Sequence, residues 1–172
     1  QDETLRANDG LKIGQDIVFG TMKYEPSQKS GIIYLFKDGC LDVIDHIGIP
    51  NTFIMINDKI LISDSLEKVS YIYDIRTKSK QIWHDFSNTN MTPDGGCIGP
   101  NNNIFICLWG DGSIGEFSSK GTLLKKHMVS VEYPTNCIFT VDNKLLVTSA
   151  NQNKDNDYKK MHSNCGRTLI LS

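Results

Sequence analysis

Three side chains with oxygen ligands recur at nearly the same interval along this chain of 172 residues. Asp9, Asn51 and Asp94 are separated by 42 and 43 residues, and short apolar runs follow each of them. Carboxylate and amide oxygens are the ligands that hard divalent cations accept. In a closed ring of repeats, equivalent positions converge on one axis. The spacing therefore favours a cation site built from these side chains.

These side chains lie in successive copies of a repeat of about 42 residues. The clearest copy places a strand at Gly96–Gly99, an apolar run at Ile104–Trp109 and an alternating strand at Ser113–Phe117. Similar sets of short strands and tight turns begin near residues 8, 50, 93 and 134. A period in the low forties, with about four strands per repeat, is typical of a β-propeller. We therefore predict an all-β chain, with residues 1–172 forming a single partial β-propeller domain of about four blades, each of four antiparallel strands.

Turn-forming residues open two of the repeats. Residues 1–10 are interpreted as a polar lead-in that ends in a turn at Asn8-Asp9-Gly10, and Pro93-Asp94-Gly95 is interpreted as turn-like. Residues 151–164 are rich in Asn, Lys and Asp and are predicted to form a loop before a last strand at 168–172. No segment of the chain has a persuasive helical period.

Composition excludes several classes of protein. The net charge is −2 and the lysines are scattered, so the chain has no basic surface for nucleic acid. No run of 18 apolar residues is present to cross a membrane. The five cysteines are odd in number and lack zinc-ligand spacing, which favours reduced thiols, a reducing compartment and a cytoplasmic location. The cysteines are Cys40, Cys97, Cys107, Cys137 and Cys165.

Seven short motifs, in order and with matching gaps, resemble the gluconolactonase/regucalcin family, which is also described as senescence-marker-protein or luciferin-regenerating-enzyme-like. The resemblance covers nearly the whole chain and implies a six-bladed propeller with one divalent cation in its central channel. The motifs are Arg6-Ala7-Asn8-Asp9-Gly10, Gly20-Thr21-Met22 with Glu25, Pro50-Asn51, Ser63-Asp64-Ser65, Pro93-Asp94-Gly95-Gly96-Cys97, Leu108-Trp109-Gly110-Asp111-Gly112 and Val147-Thr148-Ser149-Ala150.

The resemblance also implies roles for individual residues. Asn51 and Asp94 would be two of three protein ligands to the cation, and Asp94 would be the general base for the attacking water. Arg6 and Asn8 would bind the hydroxyls and ring of a sugar lactone, and Glu25 would line the same pocket. The cation would polarise the lactone carbonyl, and hydroxide bound to it is an alternative to Asp94 as the direct base. Calcium or zinc is expected, with magnesium or manganese as alternatives.

Three features depart from the family pattern. The third ligand in the family is a glutamate of an N-terminal blade, which this sequence does not contain. Thr52 stands where the family usually has glycine after the ligand asparagine. A six-bladed ring also needs about two more blades. We therefore expect a fragment that lacks the N-terminal blades and closes its propeller with those blades or with a partner chain.

Two functions are consistent with this sequence. The first is a metal-dependent hydrolase that opens small sugar lactones, with no role for nucleic acid or membrane. The second is a non-catalytic propeller fragment that acts as a calcium-binding or protein-interaction module. Because many propellers are interaction platforms, the fold alone does not choose between them. The polar residues Arg6, Asn8, Asn51 and Asp94 favour the hydrolase, since a scaffold has no need of them.

Overall fold

The computed structural model of the protein describes residues 4–151 and 163–171. The chain divides into two units, Gln1–Asn88 and Thr89–Ser172. Among the described residues, no helix is long and apolar enough to cross a membrane. All of the regular elements found in this part of the chain are strands, as the sequence predicts.

The first unit contains two antiparallel sheets in which each strand pairs with the next one along the chain, in the orders β1-β2-β3-β4 and β5-β6-β7-β8. The strands are β1 (Leu5–Ile13), β2 (Asp16–Lys23), β3 (Gly31–Lys37), β4 (Cys40–Ile47), β5 (Pro50–Ile56), β6 (Lys59–Asp64), β7 (Val69–Asp74) and β8 (Ser79–Asp85). A four-stranded meander is the blade unit of a β-propeller.

The second unit repeats this arrangement with one four-stranded sheet and one sheet of three described strands. Its strands are β9 (Thr92–Ile98), β10 (Ile104–Trp109), β11 (Ser113–Phe117), β12 (Leu123–Met128), β13 (Pro134–Phe139), β14 (Leu145–Ser149) and β15 (Thr168–Leu171). Most of the loop predicted over residues 151–164 lies outside the described residues. The four successive meander sheets give the chain the all-β propeller class expected from its repeat.

Tight turns between first and second strands share one backbone conformation. Gly14, Asn57, Asn102 and Asn143 have φ values of 60°, 57°, 58° and 59°. This left-handed region is accessible to glycine and, among other residues, most readily to asparagine. The recurrence of Gly or Asn at these turns is therefore a direct consequence of the hairpin geometry.

The first strand of every sheet carries a β-bulge close to its start. Two residues oppose one residue of the next strand at 8–9 in β1, 52–53 in β5 and 94–95 in β9, and Thr135 is the extra residue in β13. The prediction of a polar lead-in with a turn at Asn8-Asp9-Gly10 was wrong, because these residues lie inside β1. The turn-like interpretation of residues 93–95 was wrong for the same reason. A bulge uses the same polar and glycine residues as a turn, and a local pattern does not distinguish the two.

Each unit has its own apolar core between its two sheets. In the first unit, the buried residues Val18 and Ile33 of one sheet pack with Ile60, Ile62 and Tyr73 of the other. In the second, Phe105, Cys107 and Ile114 pack with residues of β13 and β14. These cores hold the first strands of neighbouring sheets together within each unit, so the bulged segments at the strand starts are fixed in place.

Candidate functional site

Asn51 lies at the start of β5 and is only 7% exposed. Its two amide atoms have different partners. The Oδ1 atom accepts a hydrogen bond of 2.9 Å from Nδ2 of Asn8, and Nδ2 donates one of 2.8 Å to Oγ of Ser65. Both partners are side chains, so residues 43 and 14 positions away in the sequence determine the orientation of the amide.

Arg6 and Asn8 extend these contacts toward the surface. Nη1 of Arg6 donates to Oδ1 of Asn8 at 3.1 Å, and Nδ2 of Asn8 also donates to the carbonyl oxygen of Pro50 at 3.0 Å. Arg6 is exposed whereas Asn8 is half-buried. The first unit thus brings three of the predicted site residues, Arg6, Asn8 and Asn51, into one series of hydrogen bonds. We call this series, which ends in the bond from Asn51 to Ser65, the amide chain.

Asp9 has a structural role that the sequence did not suggest. Its Oδ1 accepts the amide of Gly10 at 2.8 Å, and its Oδ2 accepts the amide of Phe53 at 3.4 Å. Burial raises the pKa of the Asp9 carboxyl, and hydrogen bonds from Gly10, Phe53 and Thr52 only partly oppose this. The carboxylate therefore joins the bulge of β1 to that of β5. Asp9 is the second residue of the bulge in β1, whereas Asn51 comes directly before the bulge in β5. Asp9 and Asn51 therefore do not occupy equivalent positions in their repeats.

Asp64 anchors the segment that leads into Asn51. This carboxylate is 2% exposed and accepts four backbone amides, those of Gly48 at 2.7 Å, Ile49 at 3.1 Å, Leu66 at 3.0 Å and Glu67 at 3.3 Å. A carboxylate is the side chain best suited to accept this many N–H groups. Sequence reasoning used the Ser63-Asp64-Ser65 motif only as a resemblance and missed this role, although a polar triplet after an apolar strand was a usable signal.

Glu25 does not join the amide chain. It is exposed and lies in the bend that follows β2, which ends at Lys23. None of the contacts described for residues 4–151 links its carboxylate to Arg6 or Asn8. Its predicted role in lining a substrate pocket stays a prediction.

Asp94 belongs to the second unit, where it is half-buried in the bulge of β9. Its Oδ1 accepts the amide of Gly95 at 3.0 Å. A Cβ atom at Gly95 would lie 2.7 Å from the carbonyl oxygen of Thr135, so only glycine fits beside Asp94 while β13 stays where it is. The tight packing of β9 on β13 thus holds the backbone that carries this carboxylate.

Three of the four cysteines of the second unit, Cys97, Cys107 and Cys137, lie together in its core. Sγ of Cys97 is 3.9 Å from Sγ of Cys137, and Cys107 and Cys137 are buried. All three are free thiols. The pKa of Cys137 is raised, first by its hydrogen bond to Cys107 and further by burial. These thiols pack as small apolar side chains rather than as reactive groups.

The donors of the expected site suit a hard cation. An amide oxygen from Asn51 and a carboxylate from Asp94 are ligands of the kind that Ca²⁺ accepts. Within residues 4–151 and 163–171, no group of three or more His, Cys, Asp or Glu side chains is placed to hold a metal ion. The chemistry of each donor fits a hard cation, and the amide of Asn51 is already oriented by Asn8 and Ser65.

Comparison with known proteins identifies the family. A sequence model described as the SMP-30/gluconolactonase/LRE-like region matches residues 1–151. The chain belongs to this family. No curated protein matches the sequence.

Solved structures share the fold of this member of the SMP-30/gluconolactonase/LRE-like family. A calcium-binding regucalcin from Agrobacterium tumefaciens aligns with a TM-score of 0.89 at 23% identity over 98% of this chain and 61% of its own. A luciferin-regenerating enzyme aligns with a TM-score of 0.80 at 21% identity over 99% of this chain and 62% of its own. A gluconolactonase from Xanthomonas campestris aligns with a TM-score of 0.63 at 18% identity over 83% of this chain and 53% of its own. The chain thus spans about three fifths of the length of the first two structures.

Thr52 is strained in this family member. It follows Asn51, is fully buried and has a φ of 59°. The left-handed region costs an L-residue roughly 1–2 kcal/mol, and a β-branched side chain there is a true outlier. Glycine, which the resemblance gives as the usual residue at this position, would have no such cost. The strain sits in the bulge directly after the predicted ligand, where the packing of the first unit holds it.

Proposed function

We propose that this protein contributes to a metal-dependent hydrolase that opens sugar lactones. Membership of a family that includes gluconolactonases supports the reaction class. The observation that carries the proposal is the amide chain, which joins an exposed arginine to a buried, oriented asparagine at the start of β5. The chain leads from the surface to a side chain that is 7% exposed, and its members carry the donors and acceptors that a polar ligand needs.

Each residue has a defined part in the proposed reaction. Asn51 and Asp94 would hold the divalent cation, which when bound supplies Lewis-acid polarisation of the lactone carbonyl. Asp94 accepts the proton of the attacking water. Arg6 carries only donors, so its guanidinium pairs with the ring and hydroxyl oxygens of the lactone and orients it. Asn8 holds both Arg6 and Asn51, and Glu25 would lie at the edge of the pocket.

We further propose that the ring is closed by additional blades or by a partner chain. The relatives that this chain matches are longer, and the cation needs ligands beyond Asn51 and Asp94. Calcium is the first metal to test because the regucalcin relative is described as calcium-binding. That description also supports a second candidate function, calcium binding without turnover.

Titration of the acid released from glucono-δ-lactone at constant pH tests the hydrolase. The assay uses this chain, and this chain fused to the blades that its longer relatives contain, each with added Ca²⁺, Zn²⁺, Mg²⁺ or Mn²⁺ and after chelation. Asp94→Asn should lower the rate by about 10²–10⁴-fold, as loss of a general base does. Asp58→Asn, which changes an exposed carboxylate in a β-turn, is the matched control and should leave the rate unchanged. Binding of Ca²⁺ without turnover of any lactone would contradict the hydrolase proposal and support the calcium-binding module.

A further inference from the structure

The donor and the acceptor of each hydrogen bond in the amide chain can be assigned, because some of its groups can only donate and others can only accept. The guanidinium of Arg6 has no acceptor, so the atom of Asn8 that faces it at 3.1 Å must be the oxygen. The carbonyl oxygen of Pro50 has no donor, so the atom of Asn8 that faces it at 3.0 Å must be the amide nitrogen. Two independent partners therefore give Asn8 the same orientation.

The orientation of Asn8 determines that of Asn51. Because Asn8 presents its amide nitrogen, the atom of Asn51 at 2.9 Å must be Oδ1. The Nδ2 atom of Asn51 then points the other way, into a buried region where an unbonded N–H would be costly. Oγ of Ser65 accepts it at 2.8 Å, and Ser65 is only 8% exposed.

We propose that Ser65 is a positioning residue that holds the Asn51 amide with its oxygen available to a divalent cation. A carbonyl oxygen has two lone pairs, and the bond from Asn8 uses one of them. Only the oxygen end of an asparagine binds a cation, so a flipped or rotating amide would lose the ligand for part of the time. Ser65 holds the nitrogen end of the Asn51 amide and prevents that rotation.

The backbone of Ser65 is itself fixed, which makes its hydroxyl a suitable anchor. Its amide donates to the carbonyl oxygen of Ile49 at 3.0 Å, two residues before Asn51. The preceding residue, Asp64, binds the amides of Gly48 and Ile49. The segment that carries the anchor and the segment that carries the ligand are thus tied together on both sides. Groups that support a metal ligand in this way typically change metal affinity by 10–100-fold when removed.

Metal affinity and amide exchange together test this inference, which rests on the proposed function. Ser65→Ala is compared with Ser63→Ala, because Ser63 is also a buried serine and its hydroxyl bonds to Ser70 at 2.6 Å rather than to Asn51. Binding of Ca²⁺ and of the luminescent probe Tb³⁺ is measured for both variants, in this chain and in its fusion to the additional blades. Ser65→Ala should raise the dissociation constant at least tenfold, and Ser63→Ala should change it less than twofold. Equal effects of the two substitutions, or none from Ser65→Ala, would overturn the positioning role.

Nuclear magnetic resonance of the Asn51 side chain separates this inference from the proposed function. The exchange rate of its two amide protons, assigned by their absence in Asn51→Ala, should rise at least tenfold in Ser65→Ala and stay unchanged in Ser63→Ala. An unchanged rate in Ser65→Ala would refute the anchor. A raised rate, together with a fusion to the additional blades that binds neither Ca²⁺ nor Tb³⁺, would retain the anchor and refute the metal-dependent function.

Discussion

Replacing Asp64 by asparagine should destabilise the first unit by about 2 kcal/mol. Oδ1 of Asp64 accepts the amides of Ile49, Leu66 and Glu67, and Oδ2 accepts that of Gly48 at 2.7 Å. Asparagine retains one acceptor oxygen, so it can serve the first three amides, but its NH₂ group would face the N–H of Gly48. The loss of one charge-assisted hydrogen bond accounts for roughly 1.5–3 kcal/mol.

Alanine at this position should cost more. All four amides would then lack their acceptor in a region where Asp64 is only 2% exposed. Each buried N–H without a partner costs roughly 1–3 kcal/mol, and relaxation of the loop around Leu66 and Glu67 recovers part of the total. We therefore expect Asp64→Ala to reduce the free energy of unfolding by about 4 kcal/mol or more.

Urea unfolding, followed by tryptophan fluorescence, measures the loss of unfolding free energy in the first unit. The chain has two tryptophans, and only Trp83 lies in the first unit, so a Trp109→Phe background reports that unit alone. Asp58→Asn is the control, because the Asp58–Arg76 pair is exposed at 64% and 74% and should contribute less than about 1 kcal/mol. A change of less than about 0.5 kcal/mol for Asp64→Asn would show that the Gly48 amide does not depend on this carboxylate, and the reasoning would fail.

Two further substitutions and one thiol-labelling reaction test other parts of the molecule. Gly20→Ala should destabilise the first unit by about 1–3 kcal/mol, because its Cβ would meet the Pro50 ring, whose Cγ is 2.7 Å away. Lys80→Met should cost roughly 1 kcal/mol at pH 7 and less as the pH falls below 4. Burial raises the pKa of Asp45, but hydrogen bonds led by that from Lys80 outweigh it, so the folded pKa is lowered and the stabilisation disappears on protonation. Iodoacetamide at pH 8 should modify Cys137 at least about 100-fold more slowly than an exposed thiol.

Each of these outcomes has a control or a contrary result. A Gly20→Ala protein as stable as the wild type would mean that the start of β5 shifts freely. Lys37→Met removes a longer, more exposed pair with Asp16 and should show a smaller dependence of unfolding free energy on pH. Cys40 is the exposed thiol of the same chain, and equal labelling rates for Cys40 and Cys137 would contradict the packing of the second core.

Patterns that depend on neighbouring residues were readable from the sequence. The strand predicted at Ser113–Phe117 has the same bounds in the structure, and the apolar run at Ile104–Trp109 coincides with β10. These features follow from alternation of apolar residues and from the backbone freedom of glycine and asparagine, which are local properties. The repeat of about 42 residues added the propeller class, because each copy forms the same four-stranded unit.

The residues of the candidate site were named from the sequence, but their contacts were not. Alternation and turn propensity contain no information about the 2.9 Å bond between Asn8 and Asn51, because these residues are 43 positions apart. Asp9 was chosen for its oxygen atoms, yet its carboxylate binds backbone amides of two strands. A polar side chain at a bulge serves whichever donor the fold brings within reach, and that donor is set by tertiary packing.

The sequence by itself determined the all-β class, the repeat and the polar residues that open each sheet. Only the tertiary structure decided where the strands bulge, why Thr52 is held at a φ of 59°, and which end of the Asn51 amide faces which partner. Strand formation depends on the periodic burial of side chains along a few residues. Hydrogen-bond polarity depends on donors and acceptors from distant segments meeting at about 3 Å, which happens only once the sheets have packed.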